Sequence, residues 1–239
     1  MYEEGFAEIY DVIHRHRGKD YAAESAYLTD LVRARNPAAD SVLDVASGTG
    51  GHLCHLRERF TTTEGLEMSP EMLAIARERL PGLRLHEGDM RDFRLGCRYD
   101  AITLMFSSIG YVLDKADLDR TLRCLAAHLH SGGVLIIEPW VFPDTFLPGY
   151  VAADLVRDDG RSIARVSHSV RDGDAVRMTV HYLDADSGGI VHRADTHRLA
   201  LFTKDQYADA FAKAGCPAEF IRSDRFHRGL FVGVRTRLD

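Results

Sequence analysis

The sequence contains two acids and a glycine loop whose residue types and spacing could bind a nucleoside. The stretch VLDVASGTGGHL, residues 42–53, is an apolar run that contains Asp44 and leads into Gly48 and Gly50. A second acid, Glu67, ends the next apolar run. Glycines let the backbone approach a ligand closely, and an acid about 20 residues further on can accept hydrogen bonds from both hydroxyls of a ribose. Asp44 either organises the backbone amides of the loop or contacts the ligand.

The spacing within the loop argues against a nucleotide that carries a pyrophosphate. A dinucleotide site requires Gly-x-Gly-x-x-Gly or Ala, but Leu53 stands at the third of these positions. No Gly-Lys-Ser/Thr follows, so the loop is not a phosphate-binding Walker A motif. The pattern therefore disfavours an NAD-linked oxidoreductase and favours a nucleoside without a pyrophosphate.

The segment EGDMRDF predicts the adenine end of the same site. It places Asp89 and Met90 just beyond a third apolar run, where a carboxylate can accept an adenine amino proton and a methionine can pack on the ring. As ordinary surface carboxylates, Glu67 and Asp89 would only cap helices. Because both acids follow predicted strands, we favour a cofactor site.

The composition excludes several classes of partner. The chain has 239 residues and a net charge of −6, which argues against nucleic acid as the main partner. Four scattered cysteines without a Cys-x-x-Cys motif suit reduced thiols in the cytoplasm. The first residues are acidic and lead into no long apolar run, so we expect neither a signal peptide nor a membrane anchor. His52 and His55 are expected to be solvated, and no metal site is predicted.

Helices and strands alternate along most of the chain. Helical spacing predicts two helices before the loop, around residues 6–13 and 28–32. After them the strands SVLDVA, TTEGLE, LRLHEGD, YDAITLMF and GVLIIEPW are separated by the helices GHLCHLRERF and SPEMLAIARERL and, before the last strand, DLDRTLRCLAAHL. This order is typical of an α/β fold with a mostly parallel sheet. The pattern resumes with a helix opened by Thr203-x-x-Gln206 and two closing strands.

The pattern changes between about residues 139 and 200. Here SIARVSHSV, AVRMTVHYL and VHRADTHRLALF alternate apolar with polar residues and are separated by the turn sequences RDGD and DSGG. Such alternation predicts antiparallel strands. We therefore predict a single domain over residues 1–239, with a helical cap at 1–38 and an antiparallel β insertion at about 139–200.

Along almost its whole length the sequence resembles one family of enzymes. LDVASGTGGHL, GLEMS and GDMRDFRLG resemble the cofactor core of a class I, Rossmann-like, S-adenosylmethionine-dependent methyltransferase. With RGKDYAAE, MFSSIGY, EPWVFP, RVSHSVR and HRGLFVG, the resemblance narrows to TDP-3-amino-deoxysugar N,N-dimethyltransferases, which make sugars such as desosamine and mycaminose for antibiotics. The match extends into the insertion, where general methyltransferases differ.

The resemblance implies a reaction and a set of site residues. The enzyme would be a cytoplasmic homodimer that uses two S-adenosylmethionine molecules in succession to dimethylate the amine of a TDP-linked sugar. The implied cofactor residues are Tyr10, Lys19, Tyr21, Ala46, Gly48, Glu67, Met68, Asp89, Met90 and Met105. The implied catalytic residues are Tyr2 and Tyr111, near the amine. The implied substrate residues are Trp140, Arg165, Ser167, His168 and Arg228, the last near the diphosphate.

Three departures from the family pattern bear on the substrate. Ser47 stands where the family often has Cys, Val141 replaces a usual second Trp, and SDRFHRGLF replaces a small, flexible approach to Arg228. The last two leave open which sugar is used and whether its amine is on C3 or C4. The alternatives are a methyltransferase for another small molecule, such as an amino sugar already attached to an aglycone, and a non-catalytic nucleoside-binding protein of the same fold.

Overall fold

The computed structural model describes residues 6–236, with side chains from Ile9 onward. Its helices are α1 (Phe6–His16), α2 (Tyr21–Arg35), α3 (Leu53–Leu56), α4 (Pro70–Arg79), α5 (Lys115–Ala127) and α6 (Lys204–Lys213), with a 3₁₀ turn at Ser108–Tyr111. Its strands are β1 (Ser41–Val45), β2 (Thr62–Glu67), β3 (Arg84–Glu87), β4 (Tyr99–Leu104), β5 (Leu129–Ile137), β6 (Tyr150–Asp158), β7 (Arg161–Asp172), β8 (Ala175–Asp186), β9 (Gly189–Ala200), β10 (Ala218–Ile221) and β11 (Leu230–Val234).

Seven strands form a mostly parallel central sheet. Their order is β10-β11-β5-β4-β1-β2-β3, and β11 is antiparallel to both of its neighbours. Strand β1 lies between β2 and β4 and is parallel to both. The strand order reverses beside β1, and in open α/β sheets a ligand crevice forms at the carboxyl ends of the strands at such a point. The predicted α/β architecture is confirmed.

Side chains cap the starts of two helices. Ser69 accepts a hydrogen bond from the backbone of Met72, with Pro70 in the first turn of α4. At the start of α6, the Thr203 hydroxyl accepts from the amide of Gln206 at 3.1 Å, and the Gln206 side chain accepts from the amide of Thr203 at 2.8 Å. The capping box predicted there is confirmed, because both reciprocal bonds form.

Two helix boundaries differ from the prediction. The helix predicted over GHLCHLRERF is only the four-residue α3. Helix α5 ends at Ala127, two residues before the end of the predicted helix DLDRTLRCLAAHL, and Leu129 pairs with Tyr99 as the first residue of β5. Gly132 has a φ of +80°, which glycine adopts readily, and it lies where the register of β5 with β4 shifts.

The insertion is a four-stranded antiparallel sheet in the order β6-β7-β8-β9. Sequence reasoning predicted three of these strands and missed β6. Strand β6 lies at the edge of the sheet, and only Val156 of its nine residues is buried. Apolar residues such as Val151 and Leu155 are exposed on its outer face, so apolar and polar residues do not alternate along β6 as they do along the three predicted strands.

Helix α1 joins the second sheet to the central domain. Ile9 and Ile13 of α1 are fully buried among Val180 and Tyr182 of β8 and Met72 of α4. One turn of this helix therefore contacts both layers, which fixes its intervening side chains between them. Among residues 6–236, no helix is both long and apolar enough to span a membrane.

A buried carboxylate, Glu24, links α2 to the segment after the glycine loop. Its Oε2 atom lies 2.8 Å from His52 Nε2 and 2.7 Å from Lys19 Nζ. His52 is therefore buried beside an acid, and the prediction that it is solvated is wrong, because α2 supplies a partner that is remote in sequence. Within the described part of the chain, no group of three or more His, Cys, Asp or Glu side chains could hold a metal ion.

We expect Glu24→Gln to lower the free energy of unfolding at pH 7 by about 1.5–3 kcal/mol, the usual size of hydrogen bonds to a charged group. Burial favours a raised pKa, but His52 and Lys19 outweigh it and hold the pKa of Glu24 below its ordinary value. Such a carboxylate stabilises the fold above its unfolded-state pKa, and this contribution is lost as the pH falls through the folded-state pKa.

Urea denaturation of both proteins across a pH series measures this effect. The difference between wild type and variant should shrink as the pH falls below about 4. Glu219→Gln, at an exposed carboxylate that pairs with Arg35, is the matched control and should change stability little. A Glu24→Gln deficit that stays constant through the acid range would contradict the assigned role.

Candidate active site

Two adjacent cavities open at the carboxyl ends of the central strands. The strand-end cavity, about 300 Å³, lies beside the ends of β1, β2 and β3. The insertion cavity, about 380 Å³, lies between the central sheet and the antiparallel sheet. The residues that line both are Tyr10, Ser108, Tyr111 and His197. These four side chains mark the place where ligands in the two cavities would meet.

The strand-end cavity contains most of the predicted cofactor residues. Those that line it are Tyr10, Ala46, Gly48, Glu67, Met68, Asp89 and Met90. They come from α1, from the loop after β1 and from the ends of β2 and β3. The parallel sheet brings them together because the carboxyl ends of its strands share one edge.

Glu67 fixes the shape of the glycine loop. Its Oε2 accepts a hydrogen bond from the amide of Gly48 at 2.8 Å, and its Oε1 accepts from the amides of Met68 and Ser69, both at 2.9 Å. Gly48 has a φ of +56°, and a Cβ there would meet no protein atom within 4 Å. The backbone conformation, rather than protein packing, requires this glycine, and its exposed edge faces the cavity.

Asp89 is held as a carboxylate by Arg91. The guanidinium Nε lies 2.9 and 3.0 Å from the two carboxylate oxygens, and the amide of Arg91 donates to Oδ1 at 2.9 Å. The hydrogen bonds from Arg91 hold the pKa of Asp89 below its ordinary value. An ionised carboxylate has two lone pairs on each oxygen, so Asp89 can still accept a hydrogen bond from a ligand.

Three predicted cofactor residues do not line the strand-end cavity. Lys19 is held by Glu24 and lies 4.3 Å from the centroid of the Phe106 ring. Tyr21 packs beside Gly51, where a Cβ would lie only 2.7 Å from its ring. Met105 is buried in the core on the other side of the strand end. Contacts with other parts of the protein fix the position of each of these side chains. The resemblance alone could not show those contacts.

Asp44 was expected to contact either the amides of the loop or the ligand, but its hydrogen-bond partner is another side chain. Its Oδ1 accepts a hydrogen bond from the hydroxyl of Thr103 at 2.7 Å, which joins β1 to β4. Burial raises the pKa of this carboxyl. Among the predicted glycines, Gly50 also has a packing role, because a Cβ there would lie 2.7 Å from Leu80.

The insertion cavity is lined by cations without a carboxylate among the described residues. Arg17 of α1, Arg165 of β7 and Arg228 all line it, and no Asp or Glu does. Arg17 and Arg165 each lie within 3.5 Å of Asp154, whose carboxylate offsets one of the three positive charges. Of the predicted substrate residues, Trp140, Arg165, Ser167 and Arg228 lie here. Such a cavity favours an anionic ligand, because guanidinium groups bind phosphate oxygens with charge-assisted hydrogen bonds.

His168 is the predicted substrate residue that the structure places elsewhere. Arg165 and Ser167 are buried against the cavity, whereas His168 is exposed on the opposite face of β7. Side chains of successive residues in a strand point to opposite faces. A strand that directs Ser167 into the cavity therefore directs His168 away from it.

A strained turn after β4 positions Tyr111. Phe106 and Ser107 have φ values of 55° and 61°, a left-handed conformation that is costly for residues other than glycine. The amide of Phe106 donates to Glu138 Oε2 at 2.7 Å, and the Ser107 hydroxyl donates to the carbonyl of Pro139 at 2.9 Å. Arg228 Nη1 donates to the same hydroxyl at 2.7 Å.

Sequence reasoning missed two polar residues at the meeting point of the cavities, Asp195 and His197 of β9. Tyr111 Oη lies 3.0 Å from His197 Nδ1, and His197 Nε2 lies 3.7 Å from Asp195 Oδ2. The alternation in VHRADTHRLALF places Asp195 and His197 on one face and was the available signal. The other predicted catalytic residue, Tyr2, lies outside the described residues.

Comparison with known proteins identifies the class to which the chain belongs. Residues 42–133, which include the glycine loop and both acids, match the family model of a methyltransferase domain. The structure of SAM-bound CalS10, an amino pentose methyltransferase from Micromonospora echinaspora, has a TM-score of 0.89 to this fold at 44% identity, over 99% of this chain and 100% of that chain. The fold and its strand-end cavity define a class I S-adenosylmethionine-dependent methyltransferase.

Full-length relatives identify the family within this class. The chain is 52% identical to the dTDP-3-amino-3,4,6-trideoxy-α-D-glucopyranose N,N-dimethyltransferase of Streptomyces venezuelae, over 98% of this chain and 99% of that one. It is also 52% identical to the dTDP-3-amino-3,6-dideoxy-α-D-glucopyranose N,N-dimethyltransferase of Streptomyces fradiae, over 98% and 92%. The crystal structure of Streptomyces venezuelae DesVI has a TM-score of 0.94 at 51% identity, covering 98% of this chain and all of that one. The chain belongs to the family of TDP-amino-deoxysugar N,N-dimethyltransferases.

We expect Glu67→Ala to weaken binding of S-adenosylhomocysteine about 10- to 100-fold, because each hydrogen bond to a charged acceptor contributes about 1.5–3 kcal/mol. The variant loses the acceptor for the Gly48 amide as well as the one assigned to the ribose. Isothermal titration calorimetry measures the Kd directly. Glu87→Ala, at an exposed acid that ends β3, is the control, and unchanged affinity in Glu67→Ala would contradict the role.

Proposed function

We propose that the protein transfers methyl groups from S-adenosylmethionine to the amine of a TDP-linked amino-deoxysugar, twice in succession, in the synthesis of an antibiotic sugar. One observation carries the substrate class: the insertion cavity presents Arg17, Arg165 and Arg228, and after the neighbouring carboxylate of Asp154 is counted, two positive charges remain. A nucleoside diphosphate sugar supplies the two negative charges that such a cavity needs. The names of the relatives in Streptomyces support the same class.

The residues present fit S-adenosylmethionine in the strand-end cavity. Glu67 offers acceptors for ribose hydroxyls, and Asp89, kept ionised by Arg91, offers one for the adenine amino group. Met90 lines the same end of the cavity and can pack on the ring. Bound there, the cofactor supplies a methyl group on a positively charged sulfur, which a neutral amine accepts directly.

The chain's own contribution to the reaction is mainly alignment. Tyr10 and Tyr111 line both cavities, so they border the path between the amine and the methyl group. Burial keeps the pKa of Tyr10 well above its ordinary value, so its phenol stays protonated and can only donate or accept hydrogen bonds. We propose that Tyr2 and Tyr111 orient the amine, because proximity and in-line geometry account for much of such a barrier.

Mass spectrometry of products tests the proposed function. We expect the purified protein, given S-adenosylmethionine and a panel of TDP-3-amino and TDP-4-amino deoxysugars, to add two methyl groups to at least one 3-amino member. Each transfer should release one S-adenosylhomocysteine. Absence of methylation on every member would reject the nucleotide-sugar substrate and favour an aglycone-linked acceptor.

Binding of TDP alone tests the part assigned to the cations. We expect Arg228→Ala to weaken TDP binding about 10-fold or more, since a charge-assisted hydrogen bond contributes about 1.5–3 kcal/mol. Affinity for S-adenosylhomocysteine should stay unchanged, because Arg228 does not line the strand-end cavity. Arg94→Ala, at an exposed arginine that lines neither cavity, is the control. Equal losses in both variants would contradict a diphosphate contact.

We further propose that the protein is a cytoplasmic homodimer. All four cysteines are free thiols, which suits a reducing compartment. The outward face of the antiparallel sheet exposes Val151, Leu155, Val166 and Leu183 at 45–59%, and the paired rows that contain them include no Asp, Glu, Lys or Arg. A face with exposed aliphatic side chains and without carboxylates, lysines or arginines in these rows supports a symmetric contact with a second copy of the chain.

Light scattering coupled to size exclusion tests the dimer. We expect the mass of two chains for the wild type and a shift toward one chain for Leu155→Asp, because a charge at the centre of an apolar contact is costly to bury. Leu113→Asp, at an exposed leucine outside the sheet, should leave the mass unchanged. A monomeric wild type would reject the dimer.

A further inference from the structure

The amine of an amino sugar is protonated at neutral pH and must lose a proton before it can accept a methyl group. Water could accept that proton, but the structure offers a nearer acceptor where the two cavities meet. Tyr111, His197 and Asp195 follow one another there, with 3.0 Å between Tyr111 Oη and His197 Nδ1 and 3.7 Å between His197 Nε2 and Asp195 Oδ2.

We propose that His197 takes the proton of the substrate ammonium through the hydroxyl of Tyr111, and that Asp195 stabilises the resulting imidazolium. This proposal rests on the proposed function and deepens it. In the step, an N–H bond of the ammonium breaks and its proton moves to Tyr111 Oη. The hydroxyl proton of Tyr111 moves to His197 Nδ1. Tyrosine therefore ends neutral, the amine becomes neutral, and the positive charge passes to the imidazole.

The transfer requires one tautomer of His197, and the position of Asp195 favours it. To accept from the Tyr111 hydroxyl, Nδ1 of a neutral His197 must carry no proton, so its proton lies on Nε2. Nε2 faces Asp195 Oδ2, a buried carboxylate oxygen that has no hydrogen-bond partner among the described residues. A carboxylate placed on the far nitrogen orients an imidazole and stabilises its protonated form.

His197 also starts in the state that the proposal needs. It is 8% exposed, and burial, which outweighs the attraction of Asp195, lowers the pKa of its imidazole. The neutral ring is thus available at pH 7 and becomes a cation when the ammonium delivers its proton. His197 acts through Tyr111, so it is a positioning and proton-accepting residue that does not itself touch the amine.

The other charged or titratable groups around His197 are poor candidates for this proton. On α1, burial and the charge of Arg17 lower the pKa of His14 to about 3, so His14 stays neutral. On β8, burial raises the pKa of Tyr182, which keeps its phenol protonated. Arg165 of β7 is already cationic, and its charge disfavours an imidazolium. Asp195 alone among them favours a charged His197.

The pH dependence of kcat distinguishes proton transfer from a structural role. With the TDP-amino-deoxysugar that the wild type methylates best, wild-type kcat should be nearly constant from about pH 7 to about pH 9.5. His197→Gln should be slower by on the order of 10²-fold at pH 7, the lower range for acid–base catalysis, and should recover toward the wild-type rate as the pH rises and the amine deprotonates in solution. Tyr111→Phe should show the same profile, slowed but active.

Two results would overturn the proposal. A His197→Gln rate that is reduced by one factor at every pH indicates a structural role, and an unchanged rate indicates that water takes the proton directly. His130→Gln, at an exposed histidine of β5 outside both cavities, is the control and should follow the wild type. If the wild type methylates no amino sugar at all, the proposed function fails and this inference falls with it.

A second measurement reports the tautomer of His197 without turnover. In the complex with S-adenosylhomocysteine at pH 7, the ¹⁵N-histidine signal that His197→Gln removes should be that of a neutral ring protonated on Nε2. A proton on Nδ1 would overturn the proposal, because Nδ1 could not then accept from Tyr111.

Discussion

The bond from the amide of Phe106 to the buried carboxylate of Glu138 is the contact on which the site depends. It holds the chain in a left-handed conformation after β4, which no sequence preference of Phe or Ser supports. That turn presents the Ser107 hydroxyl to Arg228 and starts the 3₁₀ turn that ends at Tyr111. Without it, Arg228, one of the three cations of the insertion cavity, would lose a hydrogen-bond partner, and Tyr111 would lose the turn that places it at the boundary of the two cavities.

Much of the cofactor half could be predicted because its signals are local. Glycines, strand-end acids and helix caps act over a few residues, and the parallel sheet then gathers Gly48, Glu67 and Asp89 at one edge. The substrate half was read mainly from resemblance. Side chains alternate between the two faces of a strand, and this rule alone places His168 and Ser167 on opposite faces and Asp195 and His197 on the same face. The predicted substrate residues followed the family motif instead of this rule.

The remaining differences come from contacts between residues far apart in the chain. Glu24 and His52 are 28 positions apart, and no spacing rule links them. Lys19 is drawn to Glu24 and to the ring of Phe106, so packing decides its place. Strand β6 escaped prediction because apolar and polar residues do not alternate along its sequence, and its pairing with β7 is what defines it as a strand.

The two cavities are lined largely by different parts of the chain. The ends of β2 and β3 bring acids to the strand-end cavity, β9 brings His197 to both cavities, and β7 brings Arg165 and Ser167 to the insertion cavity alone. Substitutions confined to β7 can therefore alter the acceptor side while the wall of the strand-end cavity stays unchanged. This separation makes β7 the natural segment to exchange when engineering new amino-sugar methylation.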